Sequence, residues 1–162
     1  MHKFQLLLLL IATIAFSSCD NERLFEKNES LDAQFWHKDS TKLFQVAVSD
    51  RTIPYSVYFN IRNSSNYPYN NIYSQYIISD TTGNLLLDTL ISNDLYVKKT
   101  GKPLGESGIG DVYDHQFLVK NNFLFPKKGT YLFELKQYMR TDTLPGVLSV
   151  GVRVEKPRTA SN

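Results

Sequence analysis

From Lys42 onward the chain alternates large apolar residues with smaller or polar ones at a period of two. Phe44, Val46 and Val48 alternate with Gln45, Ala47 and Ser49, and Asp50-Arg51 ends the run. Successive side chains of a strand point to opposite faces, so this spacing predicts a half-buried strand. Tyr55, Val57, Phe59 and Ile61 then face one way while Ser56, Tyr58, Asn60 and Arg62 face the other, until Asn63-Ser64-Ser65-Asn66 breaks the pattern.

Residues 72–79 and 84–92 flank Asp80-Thr81-Thr82-Gly83, a turn cluster whose glycine can take the positive φ that closes a hairpin. Residues 98–110 hold Gly101, Gly105, Gly108 and Gly110 with Pro103 and read as an irregular loop. Strand character returns at 112–119, at 129–138 with Tyr131, Phe133 and Leu135 on one face, and at 147–154 with Leu148, Val150, Val152 and Val154 inward. No stretch after Trp36 has the spacing of an amphipathic helix. Seven or eight short strands separated by turn signals predict an all-β fold, an antiparallel β-sandwich over residues 42–156 with a tail at 157–162.

The first eighteen residues follow another rule. Lys3 precedes an apolar run from Leu6 to Phe16, then Ser17-Ser18, and the only cysteine of the chain, Cys19, comes next. A positive residue, a short apolar run and small residues describe a cleavable export signal. The run is too short for the roughly 20 residues that a membrane-spanning helix needs. Small-small-Cys after such a run resembles the lipobox of bacterial lipoproteins, in which Cys19 is acylated and becomes the new N-terminus. One acyl chain holds a protein marginally, at about 0.8 kcal/mol per buried CH2, so several chains would anchor it permanently. Residues 19–41 then read as the lipidated N-terminus and a solvated tether, with Asp20, Glu22, Glu26 and Glu29 among few apolar residues and a helical turn over 29–36.

Composition narrows the function. With 18 basic and 16 acidic residues the net charge is +2, and it falls further when Lys3 leaves with the signal. Such a balance offers nucleic acid no electrostatic attraction. A single cysteine excludes an intrachain disulfide. His37 and His115 stand far apart, without an acid or cysteine at the spacings zinc sites use. Asp111, Asp114 and His115 form the densest polar cluster and read as a solvated strand face rather than a metal site. Ser107, in Gly105-Glu106-Ser107-Gly108, resembles a nucleophile elbow, but Ile109 stands where the second glycine is needed. The same glycines lack the Lys-Ser/Thr ending of a phosphate-binding loop. No catalytic residue, metal, cofactor or small-molecule substrate is expected.

The most suggestive surface feature is aromatic. Tyr55, Tyr58, Tyr67, Tyr69, Tyr73 and Tyr76 gather six of the ten tyrosines into one stretch. Tyrosine gives large rigid contact area with a polar tip, so Tyr67, Tyr69, Tyr73 and Tyr76 are the candidate partner-binding face. Tyrosines also fill strand positions they favour. A sugar-stacking platform is a third reading.

Successive blocks carry a family resemblance. They are Trp36 with Asp39, Tyr58-Phe59-Asn60-Ile61-Arg62-Asn63, Tyr67-Pro68-Tyr69-Asn70-Asn71-Ile72 and Asp88-Thr89-Leu90. Gly101-Lys102-Pro103-Leu104-Gly105 with Gly108 and Gly110, Gly129-Thr130-Tyr131, Gln137-Tyr138-Met139-Arg140 and Leu144-Pro145-Gly146-Val147 continue the series in order. From Cys19 to about Glu155 the chain resembles the gliding-motility lipoprotein GldH family, although that family often has a tryptophan where Lys102-Pro103-Leu104 stands. The resemblance implies a lipid-anchored envelope protein, with the outer membrane its usual destination, acting beside adhesins moved by a motor coupled to the type IX secretion system. It brings no catalytic residue. Two expectations follow: a non-enzymatic component that docks or stabilises other gliding or secretion-system envelope proteins, or an envelope carbohydrate-binding lipoprotein.

Overall fold

The computed structural model describes residues 22–157. The signal segment, Cys19 and the tail from residue 158 lie outside the described residues. Eleven strands occur in chain order: β1 (Arg23–Ser30), β2 (Phe35–His37), β3 (Lys42–Val48), β4 (Tyr55–Ser64), β5 (Asn71–Asp80), β6 (Leu85–Asp94), β7 (Glu106–Ser107), β8 (Val112–Phe123), β9 (Gly129–Gln137), β10 (Thr143–Pro145) and β11 (Val147–Glu155). They form an antiparallel five-stranded sheet ordered β1-β11-β4-β8-β7, an antiparallel four-stranded sheet ordered β3-β9-β5-β6, and the small pair β10-β2.

The alternation read from the sequence decides which faces meet. Phe44, Val46 and Val48 of β3 pair with Phe133, Tyr131 and Gly129 of β9, and the large ones among them are buried. Tyr55, Val57, Phe59 and Ile61 of β4 bury against Val150, Val152 and Val154 of β11. The inward faces of the two large sheets share one apolar layer, with the Phe59 ring 5.1 Å from that of Tyr76 on the other sheet. Phe125, from the β8–β9 connection, closes one end between Tyr55 at 5.6 Å and Tyr131 at 4.5 Å.

The all-β antiparallel expectation holds, with eleven strands in place of seven or eight. β7 and the β10-β2 pair are too short to show a period. β1 was hidden by its role. It is the edge of the five-stranded sheet, and edge strands carry charges that discourage further pairing. Arg23, Glu26, Lys27 and Glu29 interrupt the alternation, while Leu24 and Phe25 lie half-buried against the core. The solvated tether read over 19–41 therefore does not describe residues 23–37, which are part of the folded body. The helical turn read over 29–36 is one 3-10 turn, Asp32–Gln34, with Ala33 and Gln34 in the left-handed region that redirects the chain from β1 into β2. There Trp36 is fully buried, 6.4 Å from Phe59, and its indole N–H donates to the Ser40 carbonyl at 2.9 Å.

One inward assignment shifts. β11 has a bulge between Val147 and Ser149, so Val147 is buried and Leu148 is only half-buried. A bulge opposes two residues to one and breaks the period at that point. Gly83 has φ +87 in the β5–β6 turn, as the turn cluster required. Asp80 braces that turn, its carboxylate accepting from the backbone N–H of Thr82 and Asn84 and from both side chains. These bonds hold the Asp80 carboxyl well below the usual carboxylate range.

Candidate functional site

The tyrosine cluster separates into two pairs. Tyr67 is buried and its hydroxyl donates to the Asn71 carbonyl at 2.9 Å. Tyr76 points inward from β5 and its hydroxyl accepts from Asn93 Nδ2 at 2.8 Å. Burial pushes both hydroxyls well above the usual phenol range, so they stay neutral and hydrogen-bonded. These two are core residues, and the four-tyrosine face is corrected accordingly. Tyr69 is 40% exposed and Tyr73 is 44% exposed.

The difference follows from phase and neighbours. On β5 the positions Ile72, Ser74, Tyr76 and Ile78 face the core, which leaves Tyr73 outward. Tyr67 sits in the loop after β4, where Gly146 passes against its backbone with φ +77. A side chain at Gly146 would collide with the Tyr67 amide, so this glycine lets the two loops meet. The Tyr69 ring lies edge-on to Tyr67 at 5.9 Å and leans on a fixed base.

Three further residues complete the exposed site. β5 pairs with β9 with Ser74 opposite Gln137, and the Tyr138 N–H donates to the Tyr73 carbonyl at 2.8 Å. Gln137 is buried and orders the following turn. Its Oε1 accepts from the Met139 N–H at 2.8 Å and its Nε2 donates to the Thr141 carbonyl at 2.9 Å. Met139 Sδ in turn accepts from the Tyr73 N–H at 3.2 Å. Tyr69, Tyr73, Tyr138, Met139 and Arg140 thus line one open groove of about 540 Å³. Tyr138 is 61% exposed, and Arg140 has no carboxylate partner among the described residues.

Tyrosine, methionine and arginine are the residue types enriched in protein interfaces. They supply apolar area, an adaptable thioether and a planar multiple donor. Tyr138, Met139 and Arg140 escaped the sequence reading of the site because they lie far along the chain. Only the β5–β9 pairing brings them to Tyr73.

The other candidates are placed as follows. Asp114 holds Arg62 in a two-bond pair at 2.7 and 2.9 Å. His115, on the same strand, is buried and faces the opposite way, while Asp111 lies before β8 with φ +54. His37 Nδ1 accepts from the Asp39 N–H at 3.2 Å. Ser107 lies on β7, paired with Tyr113 rather than on a strand-to-helix turn. The elbow and metal constellations are not assembled at these residues.

Comparison with known proteins gives one consistent result. Residues 23–154 match the model of the GldH lipoprotein family. The chain is 34% identical over 160 residues to the "Gliding motility lipoprotein GldH homolog" of Christiangramia forsetii, covering 94% of this chain and 96% of that protein. It is 31% identical over 156 residues to the "Gliding motility lipoprotein GldH" of Flavobacterium johnsoniae, covering 92% and 94%.

Proposed function

The chain belongs to the GldH lipoprotein family, and on that footing we propose that it is a lipid-anchored, non-enzymatic envelope component of the gliding machinery that docks or stabilises other envelope proteins. Cys19 is the acylated anchor, and the outer membrane is its destination. The docking surface is the groove of Tyr69, Tyr73, Tyr138, Met139 and Arg140, and its partners are gliding or type IX secretion components. The observation that carries this reading is the exposure of three tyrosines beside Arg140, an arginine without a carboxylate partner among the described residues, on a braced turn. Rigid aromatic anchors lose little conformational entropy when they are covered.

The test is site-specific photo-crosslinking in whole cell envelopes. A photoreactive residue at Tyr73 or Tyr138 should capture a defined gliding or secretion-system protein. The same group at exposed Gln45 on β3 should not, and Cys19→Ala should abolish the capture. Identical capture from Tyr73 and Gln45, or none from the tyrosines in gliding cells, would overturn the docking role of this groove.

A further inference from the structure

The five-stranded sheet carries a second, chemically different groove on its outward face. We propose that this groove binds a neutral oligosaccharide. It encloses about 680 Å³, is walled on one side by the segment Leu104, Gly105 and Glu106, and shares no residue with the aromatic groove.

Its floor is a row of amides. Asn28 of β1, Gly151 of β11, Asn60 of β4 and Gln116 of β8 stand opposite one another across four strands. Gln116 Nε2 donates to Asn60 Oδ1 at 3.1 Å, and Asn60 Nδ2 donates to Asn28 Oδ1 at 3.2 Å. The relay passes over β11 because Gly151 has no side chain. A Cβ there would run into Asn28 Oδ1 and the Lys27 carbonyl. Glycine in a strand interior marks a close approach, and here the approach joins two amides.

The relay leaves its ends open. Asn28 Nδ2 and Gln116 Oε1 have no protein partner among the described residues. An amide both donates and accepts, as a sugar hydroxyl does, so the row matches a chain of hydroxyl groups. Exposed Leu104 on the wall offers an apolar surface for the C–H face of a sugar ring.

A further buried group borders the groove. His115 is 6% exposed, and its Nε2 has no hydrogen-bond partner among the described residues. The backbone at Gly105 passes so close that an added Cβ would lie 2.7 Å from the imidazole Cε1. The imidazole turns to the face of β8 opposite the amide row, where the Gly105 backbone covers it, so it closes the end of the groove without lining its floor.

Charge excludes other ligands. The one cation that lines the groove, Arg62, is already bonded twice to Asp114, and the carboxylate of Glu26 is paired with Arg23 and Arg153. Phosphates, sulfates and uronates would therefore find no uncommitted cation among the lining residues. Of the side chains that line the groove only Leu104 is large, apolar and exposed, fewer anchors than an extended peptide would need.

The experiment uses the full acylated chain in detergent on an array of neutral glucose- and mannose-based hexasaccharides, with an oligogalacturonate and an extended decapeptide as competitors. At least one neutral hexasaccharide should bind at millimolar concentration or better. Asn60→Ala and, separately, Gln116→Ala should weaken it at least tenfold with melting temperatures within a few degrees of wild type, and Tyr73→Ala should change nothing. No neutral member bound, preference for the oligogalacturonate or the peptide, indifference to both amide variants, or loss through Tyr73→Ala alone would each overturn the proposal. Neither result bears on crosslinking at Tyr73, so the two grooves succeed or fail separately.

Discussion

The aromatic groove and the polar groove are built on opposite principles. At the aromatic groove the side chains are large and exposed, and backbone bonds from Tyr138, Met139 and Thr141 hold the turn that presents them. On the five-stranded sheet the side chains are polar and hold one another. Glu26 accepts from Arg153 at 2.9 Å and Asn60 at 3.2 Å, Arg153 also donates to Glu155, and Arg62 clasps Asp114. One surface has its contact area uncommitted, and the other is a cross-strand network with only its ends free. The first suits a partner that supplies the matching shape, and the second a ligand that extends hydrogen bonds already laid out.

The contrast breaks most severely at Gly151. Gly151→Val places branched carbon where the Asn28 side chain and the Lys27 carbonyl approach β11, so β1 must move outward. We expect a loss of about 3 kcal/mol, the upper range for overpacking a close contact. Chemical denaturation would show it, and hydrogen exchange should show β1 losing protection before the four-stranded sheet does. An unchanged midpoint would mean that the row tolerates a side chain.

A smaller effect comes from the imidazole bordering the polar groove. Burial lowers the His115 pKa to about 4, against a minor opposing influence of Asp114. The unfolded imidazole titrates near 6.5, so between about pH 6.5 and 4 the unfolded chain binds more protons. Stability therefore falls as pH drops through that window and is insensitive to this group above it. The contribution is on the order of 2–3 kcal/mol. His115→Phe keeps a ring to stack on Phe117, now 5.6 Å away, and should flatten this part of the profile relative to wild type. Equal slopes in the two proteins would assign the acid sensitivity elsewhere.

The mildest test sharpens the division among the tyrosines. Tyr76→Phe removes the hydroxyl that Asn93 uses in the core and should cost about 1–2 kcal/mol. Tyr73→Phe, at an exposed position, should stay within about 0.5 kcal/mol. Thermal denaturation of the two variants decides it, and equal shifts would contradict the assignment of one tyrosine to the core and the other to the surface.

These residues also show how far the sequence could be read. Alternation placed β3, β4, β5, β6, β8, β9 and β11, because each has one face against a core and the pleat enforces a period of two. It missed β1, where an edge position replaces alternation with charge, and it set Leu148 inward because a bulge leaves no mark in hydropathy. For the candidate site, Tyr69 and Tyr73 were placed on the surface and kept there, whereas Tyr67 and Tyr76 have the same chemistry and went inside. Composition could not separate them. Burial depended on which face of β5 met β4, and on Gly146 drawing a second loop over Tyr67.

What the sequence determined by itself was local: strand phase, the Asp80–Gly83 turn, and a family relationship carried by blocks in a fixed order. Those signals are local because the pleat and the turn act over a few residues. Only the tertiary structure decided what was joined across distance. The β5–β9 pairing delivers Tyr138, Met139 and Arg140 to Tyr73, and four strands distant in the chain place Asn28, Asn60 and Gln116 in one row over Gly151. The physical reason is that register between strands is set by whole hydrophobic faces finding each other. Both grooves are consequences of that register.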